Sequence, residues 1–69
     1  MKNSVRIDTE FIKLEALLKL TGAVMTGGEA KRVIQMGFVR VNGNICTERG
    51  KKIRPGDVVL FNGQDFTVE

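Results

Sequence analysis

The stretch Thr26-Gly27-Gly28-Glu29-Ala30-Lys31-Arg32-Val33-Ile34-Gln35-Met36-Gly37-Phe38-Val39-Arg40-Val41-Asn42-Gly43 decides how the rest of the chain is read. Thr26 and Glu29 have the capping-box spacing, in which the Thr hydroxyl accepts the backbone N–H three residues on and the Glu carboxylate reaches back. Ala30, Val33 and Ile34 recur with the period of one buried helix face. Gly37 stands where a helix C′ residue would, in a left-handed conformation cheap only for Gly. Residues 38–41 are strand-like, and Asn42-Gly43 is a strong two-residue hairpin signal. Lys31, Arg32 and Arg40 remain once the apolar positions are assigned, and they are the first candidates for chemistry.

On the N-terminal side, residues 4–7 alternate polar and apolar, as a short edge strand would, and residues 8–10 break the pattern. Residues 13–21 read as a helix, with Leu14, Leu17, Leu18 and Thr21 on one face and Ile12 and Leu20 widening it. Gly22 stops that helix, but its start lacks a good cap, because Lys13 caps poorly and Thr9 is early. The apolar connection at residues 23–25 is short, so the two helices form a corner with a shared apolar seam. Neither helix is long enough to stand alone in water, so the pair must pack on the remainder of the chain.

That remainder reads as strands and turns. Residues 38–41 and 44–47 flank the Asn42-Gly43 turn, a polar connection occupies 48–51, and 52–53 are extended. Arg54-Pro55-Gly56-Asp57 has Pro and Gly at the central positions of a type II turn. Residues 58–61 form a buried-type strand, Asn62-Gly63 a second hairpin signal, and residues 65–68 close the sheet. The expected architecture is therefore α+β, a two-helix corner packed on a small, mostly antiparallel β-sheet, in one domain over residues 1–69. The expected core is Leu14, Leu17, Leu18, Ala30, Val33, Ile34, Val39, Val41, Ile53, Val58, Leu60 and Phe66.

Composition narrows the function. A chain of 69 residues buries only about 60% of its extended-chain surface and has no room for two lobes with a cleft between them. The chain has no histidine, which removes the commonest general base and the commonest transition-metal ligand. Cys46 is the only cysteine, so no intramolecular disulfide or cysteine metal cluster is possible. No metal or other cofactor is expected, and no small-molecule substrate. The opening residues lack the apolar run of a signal peptide and no stretch approaches transmembrane length, so the expected compartment is the cytoplasm, away from membranes. Net charge is +3, unevenly spread: +1 over residues 1–25, +5 over 26–55 and −3 over 56–69. A basic middle flanked by neutral and acidic ends suggests one basic face, which attracts polyanions, nucleic acid first.

Each candidate is weighed against a purely structural role. Gly27 and Gly28 alone do no more than turn the chain. Taken with Lys31, Arg32 and Arg40 they favour phosphate binding, because a helix N-terminus with open N–H groups and nearby cations attracts anions. Arg49, Lys51 and Lys52 are either a solubilising turn or part of the basic face, and Arg54, which extends the run, tips the balance to the latter. The Arg49-Gly50-Lys51-Lys52 run fails as a phosphate-binding P-loop: Gly43 lies too far from Gly50 and no Ser or Thr follows the lysine. Cys46 has no histidine to activate it, and no carboxylates are paired near an evident pocket, so an enzyme is the least supported reading. The four Phe residues mostly occupy strand or core-like positions and there is no Tyr or Trp, which argues against a stacking platform for single strands.

The segments K-L-E-A-L-L-K-L-T-G (13–22), T-G-G-E-A-K-R-V-I-Q-M-G-F-V-R-V-N-G (26–43) and R-P-G-D-V-V (54–59) resemble the RNA-binding domain named after ribosomal small-subunit protein S-four, the alpha-L motif. The resemblance covers about residues 13–61 and is greatest to small, free-standing bacterial members. It implies an RNA-facing surface on the second helix and the following hairpin, carried here by Thr26, Lys31, Arg32, Gln35, Arg40 and Asn42, with Asn42-Gly43 mainly shaping the hairpin. Gly27 stands where the family pattern has a helix-start arginine, and Lys13 where the first helix has one. Lysine does not replace a planar, bidentate phosphate contact, and Arg49, Lys51 and Lys52 would restore part of that charge. The expectation is a binding protein for structured RNA, ribosomal RNA or its precursor first. The alternative is an interaction module for a ribosomal protein or regulatory factor. A duplex-DNA reader is weaker, because the second helix carries few side chains suited to base edges.

Overall fold

The computed structural model describes residues 2–69. Strand β1 (Lys2–Val5) is followed by β2 (Ile12–Lys13), α1 (Leu14–Leu20), α2 (Gly27–Gln35), β3 (Val39–Val41), β4 (Asn44–Ile45), β5 (Lys52–Ile53), β6 (Val58–Phe61) and β7 (Gln64–Val68). Five strands form one sheet in the order β1-β7-β6-β3-β4, and β2 pairs with β5 in a separate two-stranded ribbon. Every pairing is antiparallel except that of β1 with β7. The α+β architecture read from the sequence is the one observed.

Local chemistry explains most boundaries. At the start of α2 the Thr26 hydroxyl accepts from the Glu29 N–H at 3.1 Å. The Glu29 carboxylate reaches one residue beyond the expected box position and accepts from the Met25 N–H at 2.7 Å. At the other end Gly37 has φ +80°. Its N–H donates to Ile34 O and the Phe38 N–H donates to Val33 O, both at 3.1 Å, which is the full Schellman arrangement. Helix α1 solves its missing cap differently. Lys13 provides no side-chain hydrogen bond; instead the Leu14 N–H donates to Lys51 O at 2.9 Å and the Glu15 N–H to Arg49 O at 3.1 Å. The cationic loop before β5 thus serves as the N-terminal cap of a helix far away in sequence.

The two hairpins turn where the Asn-Gly pairs predicted, with φ positive at Asn42, Gly43, Asn62 and Gly63, the signature of a type I′ turn. The Arg54-to-Asp57 turn closes through the Asp57 N–H on Arg54 O at 2.9 Å.

The core gathers Leu14, Leu17, Leu18, Val24, Ala30, Ile34, Val39, Val41, Ile53, Val59, Phe66 and Val68. Val58 and Leu60, expected inside, are only half-buried, and Val59 faces the core instead. Side chains alternate across a strand, so that one-residue difference exchanges the whole inner and outer face of β6. Val33 is half-buried and packs against the core edge. Ile12 belongs to β2 rather than to the first helix, and Leu20 is exposed. Strand β1 lies two residues earlier than the alternation suggested, although its ladder reaches Ile7 through the N–H on Glu69 O at 3.0 Å. Among the described residues no helix is long and apolar enough to cross a membrane.

Gly37 makes a direct test of the joint. Alanine there must adopt φ +80° and fit a Cβ 3.6 Å from Ile45 Cγ2, so Gly37→Ala should cost about 1–2 kcal/mol in urea denaturation. Gly50 has open space and no left-handed φ, so Gly50→Ala should stay within about 0.5 kcal/mol of the parent. Equal effects at the two sites would contradict the joint.

Candidate nucleic-acid interface

All nine residues singled out from the sequence are exposed: Thr26, Lys31, Arg32, Gln35, Arg40, Asn42, Arg49, Lys51 and Lys52. They do not form one cluster. Burying Ala30 and Ile34 turns Lys31, Arg32 and Gln35 outward from α2, where with Gly28 and Met36 they line a shallow groove of about 270 Å³. Arg40 lies between buried Val39 and Val41, so it projects from the face of β3 away from the core. It pairs across the hairpin with Ile45. Ile45 in turn lies against Gly37, the residue that ends α2. The helix group and Arg40 are therefore joined through the α2–β3 joint and the β3–β4 hairpin.

Asn42 and Lys51 line a second depression of about 360 Å³ with Val41, Asn44, Ile45, Cys46, Thr47 and Glu48. Arg49 and Lys51 give their backbone carbonyls to α1 and leave their side chains in solvent. Lys52 is elsewhere, with its ammonium 4.9 Å from the centre of the Phe11 ring, a cation–π contact.

Besides Lys52, three of the nine have partners within the chain, and the weakest is Arg40, whose guanidinium donates to Gly43 O at 3.5 Å across its own hairpin turn. The Thr26 hydroxyl caps α2. The Asn42 side chain bridges the two hairpins: its amide donates to Asp57 Oδ1 at 3.1 Å, and its carbonyl accepts from the Val58 N–H at 2.9 Å. The open N–H groups at Gly27 and Gly28 also meet competition, because the Glu29 carboxylate already sits at that helix end. The cationic side chains, rather than the helix terminus, are the stronger anion ligands.

Sequence reading passed over Asp57. Its Oδ2 accepts the Arg54 N–H at 2.8 Å while Oδ1 holds Asn42. The hydrogen bond from the Arg54 backbone, then that from Asn42, then the charges of Lys51 and Arg54 hold its carboxyl below the ordinary value; burial opposes them. Its place in a Pro-Gly turn, three residues from Arg54, was the available signal. Phe38, the first residue of the strand-like run 38–41, lies outside the core. Of the four Phe residues only Phe66 is buried, and Phe38 is 56% exposed. It lies between the helix stop at Gly37 and the first residue of β3.

The family model for the S4 domain matches residues 5–69. The chain belongs to the S4-domain family. A protein of Bacillus subtilis (strain 168) described as probable ribosome maturation protein RlbA is 41% identical over 63 residues, covering 91% of this chain and 89% of that protein. The crystal structure of the 30S ribosomal protein S4e from Thermoplasma acidophilum superposes with a TM-score of 0.66 at 23% identity, over 87% of this chain. The present chain spans only 32% of that archaeal protein, and the likeness is one of fold.

Asp57 yields a pH prediction. Its native pKa lies below the unfolded value, so its stabilisation is complete above the ordinary aspartate value and is lost as pH falls through the native one. Between those two values, the urea midpoint of the parent should fall more steeply with acid than that of Asp57→Asn. Parallel profiles would show that the carboxylate does not hold the turn.

Proposed function

We propose that this protein binds structured RNA, with ribosomal RNA or its precursor as the target, and acts in ribosome maturation in the cytoplasm by binding, without catalysing a reaction. The observation that carries this reading is the continuity of Lys31, Arg32 and Gln35 on α2 with Arg40 on β3, all exposed, through the joint at Gly37 and Ile45. Membership of the S4-domain family supports it, and so does the similarity to the Bacillus protein, a probable ribosome maturation protein.

A rigid helix face and a hairpin present fixed charges to the phosphate backbone, and each neutralised phosphate releases a counterion. The wide minor groove of an RNA helix offers phosphates and 2′-hydroxyls, which Gln35 and the cations suit better than base edges in a deep major groove. Arg40 and Arg32 supply planar, bidentate donors in place of the helix-start arginine of the family pattern.

A protein partner on the ribosome is the second reading. It draws on the exposed apolar side chains of Leu20 and Met25 at the corner between the helices.

The triple change Lys31→Ala, Arg32→Ala and Arg40→Ala separates the two. All three side chains are exposed, so the fold and its thermal midpoint should persist. Binding to a folded ribosomal RNA fragment should weaken at least tenfold, with a log–log salt slope shallower by about 2. Unchanged affinity and slope would remove this face as the RNA site. Ribosome association by the triple variant that survives nuclease treatment would favour the protein partner.

A further inference from the structure

Three apolar side chains lie exposed where α2 runs into the hairpin: Met36 at 57%, Phe38 at 56% and Ile45 at 57%. Met36 and Phe38 flank Gly37 in sequence, and Ile45 lies against Gly37 from β4, so all three are exposed around the one joint. Its borders are cationic. Met36 lines the same groove as Lys31 and Arg32, and Arg40 is the cross-strand partner of Ile45.

The helix stop accounts for only part of this. A Schellman turn commonly has an apolar residue at C″ facing C3, and those positions here are Phe38 and Val33, joined by the Phe38 N–H on Val33 O. Leucine would meet that need as well as phenylalanine, and Phe38 as a residue remains more than half exposed. An exposed aromatic side chain at the joint between an α2 groove that carries Arg32 and a strand that carries Arg40 matches a ligand that is polyanionic and carries flat apolar surfaces. A nucleobase with its flanking phosphates has both features, and base–aromatic stacking is sequence-tolerant. An acidic peptide would supply the charge without the flat face.

We infer that Phe38 is the stacking platform for one unpaired nucleobase, with Met36 and Ile45 as its apolar border and Arg32 and Arg40 holding the phosphates on either side. This rests on the RNA-binding reading above and sharpens it. Bases inside a continuous helix are not available to stack on a side chain, so the preferred ligand is a folded RNA with a bulged or looped nucleotide beside a helical segment. The cations read the helix and Phe38 reads the interruption.

The chain contains no Trp and no Tyr, so Phe38→Trp introduces a single fluorescent reporter at the platform. The probes are an RNA hairpin carrying one bulged adenosine and the same hairpin fully paired. The parent should prefer the bulged RNA. Phe38→Leu and Phe38→Ala should each lose about tenfold on the bulged RNA and less than about twofold on the paired one, with unchanged salt slopes. Emission of the Phe38→Trp variant should be quenched by the bulged RNA alone. Phe38→Leu keeps an apolar residue at C″, and an unchanged thermal midpoint separates its loss of binding from a folding effect. If Phe38→Leu binds both RNAs as the parent does, or if the two RNAs quench Trp equally, the platform is overturned while phosphate binding stands. If the parent binds neither RNA, both readings fall, and the apolar surface passes to a protein partner.

Discussion

Two hydrogen bonds close the joint between α2 and β3, from Gly37 to Ile34 and from Phe38 to Val33. They reverse the chain within a few residues, and only a residue free of a Cβ adopts the required φ of +80° cheaply. The joint fixes the phase of everything after it. Val39 and Val41 enter the core, so Arg40 between them must face out. The phase of α2 before it, with Ala30 and Ile34 inside, sends Lys31, Arg32 and Gln35 out as well. One constraint therefore builds both the apolar seam and the surface that opposes it.

A small domain meets its hydrogen-bonding needs by sharing groups between distant segments. The carbonyls of Arg49 and Lys51 cap α1, and Asp57 and Asn42 bind one hairpin to the other. These contacts hold the cationic loops to the folded body by backbone atoms and short polar side chains, which leaves the long basic side chains free for a ligand. Asn42 illustrates the division. It lies within the surface implied by family resemblance, yet its amide serves the fold.

The capping box, the Schellman stop, both Asn-Gly turns and the Pro-Gly turn were legible because each depends on a few adjacent residues. The facing of β6 was not. Val58-Val59-Leu60-Phe61 is apolar throughout and carries no alternation to set its phase, so only the pairing of Val59 with Val41 and Phe66 decides it. The ribbon of β2 and β5 has two residues a strand and arises from contacts across about forty positions, beyond the reach of local pattern. Val68 was within reach, since Phe66 and Val68 alternate with polar neighbours. At the surface, the cations were recognisable by elimination, whereas Phe38 precedes β3 and has no strand phase to place it.

The central claim is that the face made by α2, the Gly37 joint and the β3–β4 hairpin meets RNA. The most direct measurement is the change in backbone amide resonances as a folded ribosomal RNA fragment is added to the isotope-labelled protein. The account predicts the largest changes at residues 31–45, with little effect at β1 and around the depression lined by Asn3, Ser4, Arg6 and Gln64 at the opposite edge of the sheet. Changes concentrated on β1 and β7, with α2 and the hairpin undisturbed, would contradict it.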